Sequence, residues 1–320
     1  MTDYVYGSGN PNIGTVQTEA YLNRIESLPY RQVAFMALGE TIDIPENEAE
    51  THTMRSLDEI SIEGGLLTPL NESVLNAERI GSVKGSVIIM RPSVYGLTLI
   101  ISEKTRVNTP ENIITAVSVL LSDYEMRLKE RIIYNALENA NLIEYVFTQG
   151  GTTSPKKANI NDLIDAGILM EENSVRPIIS FVKASPDEYT RPVPDRYALI
   201  TSIKGSAAFK KNLNSTEFTQ THRFAGMDSY GFECKGAIER ANVGLFASCE
   251  IPNGSSNERE GFLFGAQPFY QTGRTGLNSF LRVRPASESA YGMHTKVEKR
   301  TTYGVALSQQ NRIMKIAFTD

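Results

Sequence analysis

Between Pro110 and Gly150 the chain contains neither proline nor glycine, and its apolar residues recur at helical spacing through most of that stretch. Ile113, Val117, Leu120, Tyr124, Leu128 and Ile132 mark one face, while Asp123, Glu125, Arg127, Lys129 and Glu130 mark the opposite one. Asn108-Thr109-Pro110-Glu111 supplies a start signal: a capping side chain, a proline in the first turn and an early acid against the helix dipole. One helix over 109–141 is predicted, about 50 Å long at the α-helical rise. A rod of that length needs partners along its whole apolar face, which makes it a scaffold for the rest of the chain.

Around this rod the sequence reads as an α+β protein. Met1 to Thr15 is rich in Gly, Asn, Tyr and Thr and carries no period, so it reads as an extended arm. Val16 to Leu38 predicts two short helices joined at Pro29, and Thr41-Ile42-Asp43-Ile44-Pro45 opens a long strand-and-turn region running to Ser102. Beyond Gly150-Gly151, a short helix is expected from Asn161, a strand at Tyr197–Thr201, a helix at Ser206–Leu213 and paired strands across Ala237–Ala247. Pro252 to Ser256 reads as an exposed loop. Three β-rich runs close the chain, at Phe280–Arg284, Thr302–Leu307 and Ile313–Phe318.

Chemistry is sparse. The glycine pairs fit neither standard phosphate-binding spacing, no G-x-S-x-G elbow occurs, and no cofactor is expected. Three histidines, His52, His222 and His294, and two cysteines fifteen positions apart leave little material for a metal site. Cys234 and Cys249 are expected to be reduced and buried. Acid pairs such as Asp58 with Glu59 or Glu171 with Glu172 read as solvated charge, so neither catalytic nor metal residues are assigned. Met1 to Gly7 has no basic cluster and no apolar run, and Val87 to Ile101 is cut by Arg91-Pro92, so neither a secretory leader nor a membrane span is expected.

Charge, in contrast, is segregated. The chain as a whole is −5, which disfavours tight nucleic-acid binding. From Glu40 to Arg79 ten acids stand against two arginines, a balance of −8, and from Arg274 to Lys315 eight cations stand against two acids, a balance of +6. Opposed blocks far apart in sequence suit either two solvated faces or a self-complementary interface.

The order of elements, together with local motifs, resembles the major capsid protein of tailed double-stranded DNA bacteriophages, and within that group the N4-like family. Tyr21-Leu22-Asn23-Arg24 through Phe35-Met36-Ala37-Leu38-Gly39 is similar to that family's helix before its long excursion, and Ile42-Asp43-Ile44-Pro45 with Thr53-Met54-Arg55 to its outgoing strand. The fullest match is Leu281-Arg282-Val283-Arg284-Pro285, then Arg300-Thr301-Thr302-Tyr303-Gly304, then Asn311-Arg312-Ile313-Met314-Lys315-Ile316. The resemblance covers residues 16–320 in outline.

It implies the tailed-phage and herpesvirus-type capsid fold: an N-terminal arm with short helices (1–39), an E-loop (40–103), a peripheral P-domain with the spine helix (104–158), an axial A-domain (159–275) and terminal P-domain strands (276–320). It further implies hexamers and pentamers that close an icosahedral shell around a DNA genome, portal, scaffolding and cement partners, non-specific contact with packaged DNA, and assembly in the host cytoplasm without a membrane. An encapsulin-like shell, or more remotely a phage-associated enzyme or binding module, is the alternative. In such shells the E-loop lies across the neighbouring P-domain. Contacts are therefore expected between Asp58, Glu59 or Glu63 of one subunit and Arg282, Arg284, Lys296, Lys299 or Arg300 of the next.

Overall fold

The computed structural model describes residues 34–45, 51–57, 85–103, 113–148, 155–178, 196–213, 218–219, 234–252, 257–274, 279–288 and 290–320. The arm, the helix expected before Pro29 and the tip of the 252–256 loop lie outside these residues, and the described part of the helix expected after Pro29 is a single 3-10 turn at Phe35–Ala37. In chain order come a 3-10 turn at Phe35–Ala37, strands β1 (Glu40–Thr41), β2 (His52–Leu57), β3 (Gly85–Met90) and β4 (Ser93–Ser102), and helix α1 (Ile113–Glu138). There follow β5 (Ile143–Val146), α2 (Ile160–Glu172), β6 (Tyr197–Ser202), α3 (Ile203–Asn212), β7 (Phe218–Thr219), β8 (Cys234–Ile238) and β9 (Val243–Ser248). The last strands are β10 (Glu258–Phe264), β11 (Phe269–Thr272), β12 (Ser279–Arg284), β13 (His294–Leu307) and β14 (Ile313–Thr319).

Seven strands form the central sheet in the order β5-β14-β10-β6-β9-β8-β7. Alternation along its buried strands sends successive side chains to two different cores. Leu199, Leu245, Leu263, Met314 and Phe318 meet Leu163, Ala166, Met170 and Phe209 of α2 and α3 on one face. Ala198, Ile200, Phe246, Phe262 and Phe264 meet Ile133, Tyr134 and Leu137 of α1 on the other. Strands buried on both faces read as continuous apolar runs, which is why Tyr197–Thr201 was legible. Helix α2 begins at Ile160, one residue before the expected start, capped by Asn159, which accepts a hydrogen bond from the Asp162 N–H at 2.8 Å.

Helix α1 is continuous over 26 residues, about 39 Å, and carries both sheets. Its N-terminal half packs through Leu121 on Ile101 and Val297, and its C-terminal half lies on the central sheet. Two successive partners rotate the buried stripe, so Leu120, expected inside, is 44% exposed while Leu121 is buried. The expected polar face is corrected more deeply, since Glu125 and Glu130 are both buried.

The second sheet is built on β13, whose first ten residues pair with β4, whose residues 296–301 also pair with β12, and whose last four pair with β11. β2 and β3 form a separate antiparallel ribbon leading into β4. The expected segments 159–275 and 276–320 each contribute to both sheets: β11 of the former pairs with β13, and β14 of the latter joins the central sheet. Gly304 sits where β13 changes partners. A Cβ there would lie 2.7 Å from the Arg91 carbonyl oxygen and 2.9 Å from Pro92 Cα, in the link between the ribbon and β4. Gly304→Ala must push main chain against main chain, and a loss of about 1–3 kcal/mol is expected in the denaturant midpoint; an unchanged midpoint would contradict the packing.

Candidate functional site

Register decides which way each side chain of the β4-β13-β12 ladder points. Val297 faces Leu99 and Val283 across the strands, Lys299 faces Leu97 and Leu281, and Thr301 faces Tyr95 and Ser279. These rows lie toward α1, where Leu97, Leu99 and Val297 pack with Leu121. The intervening rows point the other way: Ile100 with Lys296 and Arg284, Thr98 with Glu298 and Arg282, and Gly96 with Arg300 and Phe280.

The outward face is accordingly apolar and basic. Val94, Ile100 and Phe280 are large apolar side chains left in the open, at 63%, 62% and 48% exposure. Arg282, Arg284, Lys296 and Arg300 give four positive charges against one acid, Glu298, which pairs with Arg284 at 3.0 Å. The β2-β3 ribbon continues the apolar character with Val87 and Ile89, each 56% exposed and opposite Arg55 and Thr53. Isolated exposed apolar residues are ordinary, whereas here they recur along one ladder and interleave with cations.

Lys299, fifth of the expected interface cations, belongs to the inward rows. Its Nζ lies 2.9 Å from Glu125 Oε2 on α1; Lys129 Nζ lies 2.7 Å from Oε1, and Ser279 donates its hydroxyl to Oε2 at 2.9 Å. Burial pushes the Glu125 carboxyl up, but the two ammonium groups and the hydroxyl outweigh it and hold the group down at about 2. Lys299 is therefore an internal tie between β13 and the spine helix. Its in-phase neighbours Val297 and Thr301 were the available signal, since alternation places all three on one side.

Glu130 is the second buried carboxylate. It accepts hydrogen bonds from the N–H groups of Ala34 at 2.6 Å, Phe35 at 3.0 Å and Met36 at 3.3 Å, and from the Ser248 hydroxyl at 3.0 Å. Burial raises its proton affinity and these four donors lower it, burial being the larger effect. Beside it Arg127 pairs with Glu250 at 2.9 Å and Arg131 donates to the Glu250 carbonyl at 2.8 Å, tying the end of β9 to α1.

Asp58, Glu59 and Glu63 lie outside the described residues, as does His222. His52 pairs with Met90 in the ribbon and His294 opens β13 on the surface. Cys249 follows β9 and is half-buried rather than buried, because the strand has ended and its chain turns toward Glu250. Cys234 stands opposite Phe246 in the β8-β9 pairing. Among the described residues no group of three or more His, Cys, Asp or Glu is placed to hold a metal ion, and no helix is long and apolar enough to cross a membrane.

No protein-family model matches the sequence, and no curated protein matches it. Solved structures do. The chain aligns over its whole length with 99% of the capsid protein in the acid-stable capsid of Helicobacter pylori bacteriophage KHP30, with a TM-score of 0.65 and 11% identity. It aligns over 99% of its length with 98% of the capsid chain of Ralstonia phage GP4, with a TM-score of 0.63 and 12% identity. It aligns over its whole length with 99% of the capsid chain of cyanophage Pam1, with a TM-score of 0.58 and 13% identity. The α+β architecture built on a spine helix is thus the fold of tailed-phage capsid subunits.

Proposed function

We propose that the chain is the structural subunit of an icosahedral phage capsid, forming hexamers and pentamers around double-stranded DNA and performing no catalytic turnover. The observation that carries this reading is the outward β4-β13-β12 face, where Val94, Ile100 and Phe280 stand exposed among Arg282, Arg284, Lys296 and Arg300. A lone subunit leaves that surface uncovered, and a second copy offers the complement in its acidic 40–79 segment. In this reading 40–103 is the E-loop and reaches a neighbour's P-domain, bringing Asp58, Glu59 and Glu63 to Arg282, Arg284, Lys296 and Arg300. Lys299 works inside its own subunit.

The finer reading places the chain among N4-like capsid proteins on its closing motifs, with portal, scaffolding and cement partners, DNA contacts independent of sequence, assembly in the host cytoplasm and residence in the virion. Negative-stain microscopy of the purified full chain tests it. Closed shells of genome-enclosing size are expected. Small shells around a protein cargo would favour the encapsulin-like alternative, and a dispersed monomer would overturn the shell reading altogether.

A further inference from the structure

Glu130 does nothing for the outward face, yet it is fully buried, and among the described residues its carboxylate holds only main-chain N–H groups and one hydroxyl. The segment it holds, 34–36, is a turn whose own Ala34 offers no side-chain cap. A carboxylate from 95 residues away replaces the missing cap, satisfying donors that burial would otherwise leave orphaned. The carbonyl side of the same turn is held as well. Gln271 of β11 donates from Nε2 to the Met36 carbonyl at 2.7 Å and to the Gly39 carbonyl at 3.2 Å. Its other end is fixed, because Oε1 accepts the Tyr303 hydroxyl at 2.8 Å. Gly39 must stay small, since a Cβ there would collide with the Phe269 ring.

We infer that Glu130 and Gln271 form a two-sided clamp on the main chain of 34–39, fixing that turn on α1 and β11 in the position that assembly requires. The assembly half of this inference rests on the capsid-subunit reading; the clamp itself does not. Both side chains grip backbone atoms, so the clamp sets position without reading the sequence of the turn. Ser248 binds the same carboxylate from the end of β9, which locks the clamped turn to the central sheet as well as to α1.

Two near-isosteric variants of the full chain test it. Glu130→Gln sets an amide NH2 against main-chain donors, and Gln271→Met removes the donor to Met36 and Gly39 while keeping the length. Hydrogen exchange should speed at least tenfold at residues 34–36 in Glu130→Gln, with β6, β9 and β10 within twofold of the parent chain. Gln271→Met should loosen the same turn to a smaller extent. Unchanged exchange at 34–36 in both variants would overturn the clamp, and equal acceleration throughout the central sheet would reduce Glu130 to a general core residue. Particle yield is the second readout: a parent chain that forms shells and a Glu130→Gln chain that forms few or malformed ones supports the positioning role. Normal shells with a loosened turn would overturn that role. A parent chain forming no shells would sink the capsid reading while leaving the exchange result to stand.

Discussion

Lys299→Ala is expected to remove about 3 kcal/mol of stability at neutral pH, which is the scale for breaking a buried ion pair from one side. The ammonium it deletes is one of two that hold Glu125, and both partners of the lost pair are nearly enclosed, with side-chain exposures of 12% and 10%. Of the two cations only Lys129 would remain, with the Ser279 hydroxyl, on this buried carboxylate. The pH dependence has a definite sign. The folded-state carboxyl, held at about 2, sits below its ordinary value of 4.5. Its contribution is thus present above about 4.5 and is lost as pH falls through about 2, with an upper limit of about 3 kcal/mol. Urea unfolding of parent and variant should therefore differ widely at pH 7 and converge as the pH approaches 2. Changing both partners, Glu125→Leu with Lys299→Met, should recover part of the loss, because the enclosed pair goes from both sides while Lys129, 19% exposed, is left over the Tyr303 ring without its carboxylate. A Lys299→Ala midpoint equal to the parent's at pH 7 would refute the tie.

How the two buried acids escaped a sequence reading is a matter of distance along the chain. Glu125 and Glu130 lie in phase with the charged stripe of α1, and a helix wheel has no means of showing that β13 covers one and the 34–38 turn the other. Their partners, Lys299 and Ala34, are supplied by segments 174 and 96 residues away. What was legible was local: the unbroken rod, a short helix near Asn161, the largely apolar β6 and β9, and the three β-rich closing runs. The strand expected at Thr302 begins at His294, and alternation over 296–301 sets Lys296, Glu298 and Arg300 apart from Val297, Lys299 and Thr301, while register with β4 and β12 decides which set faces out. Sheet membership of β11 and β14 was not legible, since strands adjacent in sequence here enter different sheets.

Reversing the outward cations should separate assembly from folding. Arg282→Glu, Lys296→Glu and Arg300→Glu all fall on the face directed away from α1. A chain carrying the three is expected to unfold within about 1 kcal/mol of the parent, because exposed substitutions away from caps and buried networks change little. Lys299→Glu, one residue from Arg300 but on the inward face, should instead abolish stable folding by setting two carboxylates together. For the triple variant the loss appears in association. In the proposed shell each exposed pair with an acid of a neighbouring E-loop would contribute only about 0–1 kcal/mol, but a closed ring repeats every contact, and complementary charge chiefly governs encounter and register. Particle formation followed by light scattering should slow in the triple variant, and should slow in the parent as salt shortens the Debye length below about 8 Å. Adding Asp58→Lys, Glu59→Lys and Glu63→Lys to the triple variant should partly restore the rate by exchanging the signs across the contact. Parent-like assembly of the triple variant, or no recovery in the sextuple one, would make the outward cations solvated charge and move the subunit contact to the apolar residues between them, Val94, Ile100 and Phe280.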